Sequence, residues 1–573
     1  MERTPSKSKA ESAIASVLRY HERTKHHLDR YARSLGHLDW ATQPNPFRRF
    51  DGSPQIALEH PVPSEHPSYD SLFNEAHTEP HPIDYGGISR LFYDSLALSA
   101  WKQAPGIQPW SLRVNPSSGC LHPTEGYLIA GPVDGLGDAP SVYHYLPYFH
   151  VLERRVFLKP EDWESLAEQL PPGSLLVALT SIYWRESWKY GERAFRYCHH
   201  DVGHAIGAVA FAAATLGWQV RLIETVSDEE LGTLLGVDRQ SGIEAEHPDC
   251  MLAVFPHNPE VKGGSVELRL PETLLERIRG AEFFGTPNRL SHDHHLWPII
   301  DEVSQATRFT VSSSVSAKER PEAVDLVPQQ FSNHLDRQVS ARQIIRQRRS
   351  AVDMDGRTSL SQEAFYRMLE RSLPGARFPF DTLPWRAHVS LSLFVHRVEG
   401  LSPGLYVLIR HPDHESSLHA SIGDDFSWTK PPSCPKSLPL WCLVESECRQ
   451  DAKTISCHQD IAGDGAFSIG MLAQFEHTLR TVGPWLYPRL FWETGLIGQL
   501  LYLEPEAAGV AATGIGCFFD DAMHSCLGLR DRNWQSLYHF TVGGAVEDSR
   551  LKTLPAYFHL TDHDGDRSQD PRF

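Results

Sequence analysis

Residues 205–218, "AIGAVAFAAATLGW", form an apolar run built largely of alanine and glycine. The run is shorter than the roughly 18 apolar residues that a membrane span needs. Its length therefore predicts a buried core helix, and its small side chains suit close helix packing. Gly217 then marks a turn, a short apolar strand follows, and "SDEELGTLLGV" opens on acidic residues as helices do. The same succession returns in "ETGLIGQLLYLEPEAAGVAATGIGCFFDDAMHSCLGL", which superposes without a gap on "DVGHAIGAVAFAAATLGWQVRLIETVSDEELGTLLGV". Gly203 falls on Gly495, Gly217 on Gly509, Ile223 on Ile515, Asp228 on Asp520, Leu235 on Leu527 and Gly236 on Gly528. All share one offset of 292 (495 − 203).

Two weaker matches occur in the same order. "GPVDGLGDAPSVYHY" and "HRVEGLSPGLYVLI" each set a glycine-containing turn between alternating apolar runs, a hairpin pattern, with Gly135 and Gly400 offset by 265 (400 − 135). "ISRLFYDSL" and "QEAFYRML" are both helical in period. The pattern predicts an α+β fold in which one domain is present twice, at 85–285 and 341–573. Residues 1–84 form a leading segment in which "VLRYHERTKHHLDRYARSL" has helical spacing and "QPNPFRRFDGSP" reads as extended coil. Residues 286–340 are polar and proline-punctuated and read as a linker. The closing "DHDGDRSQDPRF" reads as a loose polar tail.

The chain has 573 residues, long enough for two buried cores. Its 54 basic and 72 acidic residues give a formal charge of −18, which disfavours nucleic acid and anionic membrane as partners and leaves small molecules and peptides. Nine scattered cysteines without a C-x-x-C pair read as a reducing compartment, and "MERTPSKSKAESAIAS" has no apolar signal region. The expected location is cytoplasmic.

Candidate chemistry differs between the copies. The first has "RVNPSSGCLHPTEGYLIA", whose Pro116-Ser117-Ser118-Gly119 turn either is a simple capped turn or offers hydroxyls and N–H groups to a polar ligand edge. At that place the second copy has only "FDTLPW". The second copy has "RQIIRQRRSAVD", with Arg342, Arg346 and Arg349 at helical spacing and Ser350 at the end, either a solvated basic face or an anion cradle. The complementary losses suit one ligand site built from both copies.

"ESWKYGERAFRY" reads by itself as a helix laced by charge pairs, Glu186 with Lys189 and Tyr190 and Glu192 with Arg196. His200 and His204 are spaced i, i+4, but Asp201 stands where a zinc protease motif has its glutamate and no third ligand is evident. "HDHH" at 292–295 reads as a solvated loop, and Cys442, Cys448 and Cys457 as free thiols. No metal site is expected. No G-x-G-x-x-G or Walker A run offers another nucleotide site.

Taken with "YHERTKHH", "NPSSGCLHPTEGYL", "KYGERAFRYCHHDVGH", "RQRRSAVDMDG", "VEGLSPGLY", "ETGLIGQLLYL", "GIGCFFDD" and "VGGAVEDSRLKTLPAY", the chain resembles the nitroreductase superfamily of FMN proteins. Within it the resemblance is to the SagB-type (SagB/ThcOx-like) dehydrogenases, a branch that includes cyanobactin oxidases. It covers most of the chain outside the linker and tail. It implies a tandem nitroreductase-like fold whose two copies form an intrachain pseudo-dimer, with FMN at their interface. Carried onto this sequence, Arg348, Arg349, Ser350 and Arg550 would hold the FMN phosphate, and Pro116, Ser117 and Ser118 would lie on the other side of the cofactor. Gly516 and Cys517 would face the isoalloxazine edge. Ala351 and Val352 follow Ser350 where the family carries a further arginine, and Gly119 and Cys120 stand where it often has asparagine.

The SagB-type branch uses an adjacent Lys-Tyr pair beside the flavin, which Lys189 and Tyr190 match. Converting a thiazoline or oxazoline to an azole removes a ring proton and a hydride, so one of the pair would act as base. A lysine with an ordinary pKa of about 10.4 needs burial or nearby positive charge for that role, and Arg193, one turn on, is the expected source. The same offset places Thr481 at the equivalent position of the second copy, so only one base is expected. The implied function is azoline oxidation in a ribosomally made peptide, with other peptide-maturation enzymes as partners. Self-association, the terminal electron acceptor and the choice between Lys189 and Tyr190 are left open. Two other readings are an NAD(P)H-dependent nitro, quinone or flavin reductase, and a non-catalytic peptide-binding or assembly subunit.

Overall fold

The computed structural model describes residues 7–74, 79–258, 266–310, 339–375 and 377–560. Much of the expected linker and the tail from Asp562 lie outside these residues. Two antiparallel sheets carry the repeat. The first runs Gln55–Ala57, Val151–Phe157, Ser141–Leu146, Thr124–Ala130, Leu175–Ser181, His247–Pro256, Trp218–Ile223. The second runs Leu440–Glu445, Gly404–Leu408, Val389–Val395, Phe467–Gln474, Trp534–Gly543, Ala511–Ile515. Apart from the edge strand Gln55–Ala57, the two orders are the same.

The 292-residue offset is visible in the elements themselves. The long helices span Ala194–Thr215 and Leu486–Ala507, each 22 residues, and the acidic-started helices span Asp228–Leu235 and Asp520–Cys526. The first of these begins on a reciprocal Ser227–Glu230 capping box and ends at Gly236, whose φ of +71° an L side chain would resist. The predicted hairpins form as well, with turns through Gly135 and Gly400 at φ +87° and +75°.

The apolar run at 205–218 lies in the seam between the copies. A Cβ on Gly203 would sit 2.3 Å from the Trp492 carbonyl, and one on Gly495 2.3 Å from that of His200. The two helices touch backbone to backbone at these glycines, an approach no larger residue permits. Around them one apolar core is continuous across both sheets, with Leu128 and Val209 from the first copy and Leu393 and Leu496 from the second. Strand alternation sends Ile129 and Phe394 to separate outer cores.

The chain ends tie the copies together further. Lys552–Leu554 of the second copy pairs with Leu98–Gln103 of the first, and Trp101 Nε1 donates to the Ala556 carbonyl. The helical reading of 17–35 is corrected after Arg23, where helix Lys7–Arg23 ends. Beyond it, His26 N–H donates to the Asp520 carboxylate and Asp520 N–H to the His26 carbonyl, which holds the chain extended. No helix among the described residues is long and apolar enough to cross a membrane.

Candidate functional site

Lys189 and Tyr190 end the helix Tyr183–Tyr190. Gly191 stops it with φ +55°, and a Cβ there would sit 2.3 Å from the Arg33 carbonyl, so the break is fixed by both conformation and space. The pair lies against the serine turn. A Cβ on Gly119, itself at φ +62°, would come within 2.7 Å of Tyr190 Oη and 2.9 Å of Lys189 Nζ. Both side chains are half-buried, and the ammonium stands 5.2 Å from the centre of the Tyr190 ring.

The turn is held from beneath by Asp201, in the long helix. Ser118 donates its N–H to both carboxylate oxygens, at 3.2 Å each, and its hydroxyl to one of them. Ser117 Oγ accepts the His122 N–H at 2.8 Å. Pro116 is buried, while Ser117 and Ser118 are partly open. Burial pushes the Asp201 carboxyl up to about 7 against the opposing pull of the serines. Glu186, one turn before Tyr190, is fully buried and neither carboxylate oxygen has a hydrogen-bond partner. Burial and then the nearby Asp201 carboxyl push its pKa well above the usual range.

Tyr190 continues into the second copy through Tyr197, ring to ring at 4.5 Å. Tyr197 Oη donates to the Gly516 carbonyl at 3.0 Å, and a Cβ on Gly516 would strike the Tyr197 ring. Cys517 Sγ donates to Cys457 Sγ at 2.7 Å. At the far side, Ser350 Oγ and Tyr502 Oη are bonded at 2.8 Å, and Tyr502 Oη accepts the Gly514 N–H. Arg348 lies over the Tyr502 ring and donates to the carbonyls of Arg113 and Val114, just before the serine turn. Arg349 donates to the carbonyls of Arg346, Arg348 and Ser99. Residues of both copies thus meet in one cluster.

Four readings are corrected. Arg550 is not brought to this cluster; it is exposed and forked onto Asp548, two residues away. Arg193 is not the positive neighbour of Lys189, because the chain breaks at Gly191 and carries its guanidinium to Asp520 and to the carbonyls of Thr24 and Gly516. Glu192 pairs with Arg23 instead of Arg196, which goes to Asp520. His294 of "HDHH" is bonded to Glu244. His200 stacks on the Tyr538 ring and His204 bonds its hydroxyl, so both belong to the packed wall behind the cluster.

The sequence reading gave no site role to Tyr197, Tyr502 or Tyr538, weighed Asp201 only against a zinc motif, and paired Glu186 with Lys189 and Tyr190. Glu186 did carry a signal: it lies between Trp184 and Trp188 in a segment that is buried throughout except for Lys189 and Tyr190.

No protein-family model matches the chain. A Methanocaldococcus jannaschii protein assigned provisionally as a nitroreductase is 29% identical over 128 residues, which are 21% of this chain. The match spans 63% of that relative's length. The crystal structure of a protein of the same provisional assignment from Anabaena variabilis superposes with a TM-score of 0.63 at 20% identity, covering 93% of this chain and 99% of that one. A chain of the Escherichia coli microcin synthetase McbBCD complex with truncated pro-MccB17 matches 43% of this chain and 94% of its own, at 17% identity. Its TM-score is 0.24, too low to bear on the fold. The chain has a nitroreductase-like α+β fold, present in two copies, and a 128-residue stretch of it is similar in sequence to the M. jannaschii protein.

Proposed function

We propose that the cluster between the copies holds FMN and that the chain is a SagB-type dehydrogenase, oxidising thiazoline or oxazoline rings to azoles in a ribosomally made peptide. The observation that carries this reading is the placement of Lys189 and Tyr190 against the serine turn of the first copy, beside the Arg348–Ser350 segment of the second.

The residues present fit an anionic flavin. Arg348 is a buried guanidinium whose hydrogen bonds go to main-chain carbonyls, and its Nε has no partner. A phosphate would satisfy it. Arg349 and Ser350 stand beside it, the turn Pro116–Ser118 would flank the ring system, and Gly516 with Cys517 would line its edge. Bound FMN supplies a two-electron acceptor for the hydride leaving the azoline. The chain's own residues do the rest. Lys189 Nζ or Tyr190 Oη, both partly open, takes the ring proton, and the tight fit on Gly119 fixes their position. Glu186 and Asp201, buried behind them, give the site two carboxyl groups with raised pKa values close to the base. The peptide, and the maturation enzymes that prepare it, are the proposed partners.

The test is turnover of an azoline-containing peptide by the FMN-loaded chain. Lys189→Ala and Tyr190→Phe are compared with wild type at equal flavin content. A loss of about 10²–10⁴-fold in at least one variant is expected; full activity in both would remove the base assignment. One observation favours a second reading, a binding subunit without turnover: the Arg348 and Arg349 donors already engage carbonyls. Failure to take up FMN at excess would select it.

A further inference from the structure

A pocket lies away from this cluster. It is a cavity of about 410 Å³ between the copies, bounded by helix Asp228–Leu235 and the start of strand His247–Pro256 of the first and by the first turns of helix Leu486–Ala507 of the second. None of the residues of the candidate flavin site lines it. The repeat says what is missing there. In the second copy the equivalent acid, Asp520, is completely buried between two guanidinium groups, with Arg193 at 3.0 Å and Arg196 at 2.8 Å. Through the 292-residue offset, the positions of those arginines correspond to Trp485 and Pro488 at Asp228. Asp228 Oδ2 accepts the Phe309 N–H at 2.9 Å, and among the described residues no ion pair within 4 Å engages it; the more distant Arg489 and Arg308 guanidinium groups only partly offset the burial that raises its carboxyl.

The walls carry five carboxyl groups, of Asp228, Glu229, Asp238, Glu246 and Asp249, against three guanidinium groups, of Arg279, Arg308 and Arg489, so the lining is net acidic. Phe309, Trp485 and Trp492 present rings. Arg489, also on the wall, is enclosed by Phe309, Trp485, Trp492 and Trp385 at 4.3–5.9 Å and donates to the Trp485 carbonyl. His199 is 3% exposed and its Nδ1 accepts the Trp492 Nε1–H at 3.1 Å. The ring hydrogen is therefore on Nε2, which is buried and has no partner, and His199 is one of the residues lining the cavity. Asp249, whose Oδ2 accepts the Ser181 hydroxyl, adds a second carboxyl beside His199.

We propose that this cavity binds a small guanidinium compound carrying an amide carbonyl, of the size of one arginine residue. Its guanidinium takes the place at Asp228 that Arg193 and Arg196 take at Asp520, flanked by the tryptophan rings. Its carbonyl accepts from His199 Nε2.

Isothermal titration of the full chain with Nα-acetyl-argininamide, and with Nα-acetyl-citrullinamide as the uncharged isostere, tests it. One saturable site for the arginine compound is expected, with the citrulline compound at least tenfold weaker. Asp228→Asn should weaken the arginine compound tenfold or more, and Trp492→Leu, which keeps the charge and removes a wall, should also weaken it. Absence of binding, or equal binding of the two isosteres by wild type, overturns the proposal even if Asp228→Asn fails to fold. A folded Asp228→Asn chain that binds as wild type overturns it too.

Discussion

The two copies place an acid at the same point of the same helix and put it to different use. Glu493 is the counterpart of Asp201 (493 − 201 = 292). In the second copy Glu493 accepts the N–H groups of His388 and Val389 and is ion-paired at 2.5 Å with Arg410, which is as deeply buried. In the first copy Asp201 holds the serine turn by N–H and hydroxyl groups alone, and its pKa rises towards neutrality. Burial raises the Glu493 carboxyl as well, but there a buried arginine pulls against it, whereas at Asp201 only neutral donors oppose the same desolvation. The same divergence separates Lys189, against the turn, from Thr481, exposed and bonded to the carbonyl one helical turn back. Duplication preserved the frame, while the side chains at two equivalent places have diverged.

The most damaging single change strikes the frame that the copies share. Gly203→Val would drive side-chain carbon into the Trp492 backbone. Because the two copies have a common core there, thermal denaturation should show loss of cooperative folding or a destabilisation of more than about 4 kcal/mol; a melt like that of wild type would mean the helices can separate freely. Next, Arg410→Met removes that arginine and leaves Glu493 buried and unpaired, at a cost of about 3–5 kcal/mol by denaturant titration. Asp201→Asn keeps the acceptor for Ser118 and should cost far less.

Smaller, but more diagnostic, is the pH dependence. An acid whose pKa is raised by folding makes the native state bind more protons than the unfolded one. Stability from this group is greatest below the unfolded value near 4 and falls as pH rises to about 7. Asp201→Asn should flatten that part of the stability profile between pH 4 and 7, whereas an unchanged slope would exclude Asp201 as its source. The smallest effect sharpens the comparison: Thr481→Ala should leave stability within about 0.5 kcal/mol and turnover unchanged, while Lys189→Ala lowers turnover.

The repeat was legible because helix packing leaves a periodic trace: Gly203 and Gly495 must both be glycine for the backbones to touch, and the turns at Gly135 and Gly400 need positive φ. The Lys-Tyr pair and the serine turn were legible as motifs, but their contact was not, since 70 residues separate Gly119 from Lys189 (189 − 119). Partner choice was least legible. Glu192 and Arg196 have ideal helical spacing, but the helix breaks at Gly191 and resumes at Ala194, and Arg23 and Asp520 approach from distant segments. Arg550 matched a motif position, yet local pairing with Asp548 holds it in solvent. Burial of Glu186 follows from tertiary packing of its helix, which spacing alone does not encode.

The proposed flavin site is a single composite one made from both copies. Its most direct test is the number of FMN molecules released per chain, measured with wild type, Arg349→Ala and Ser117→Ala after checking that each variant melts as a folded chain. One FMN per wild-type chain is expected, lost or weakened by either substitution, although the two residues lie in different copies. Absence of FMN after reconstitution at excess, or two per chain with neither substitution affecting more than one, would contradict it.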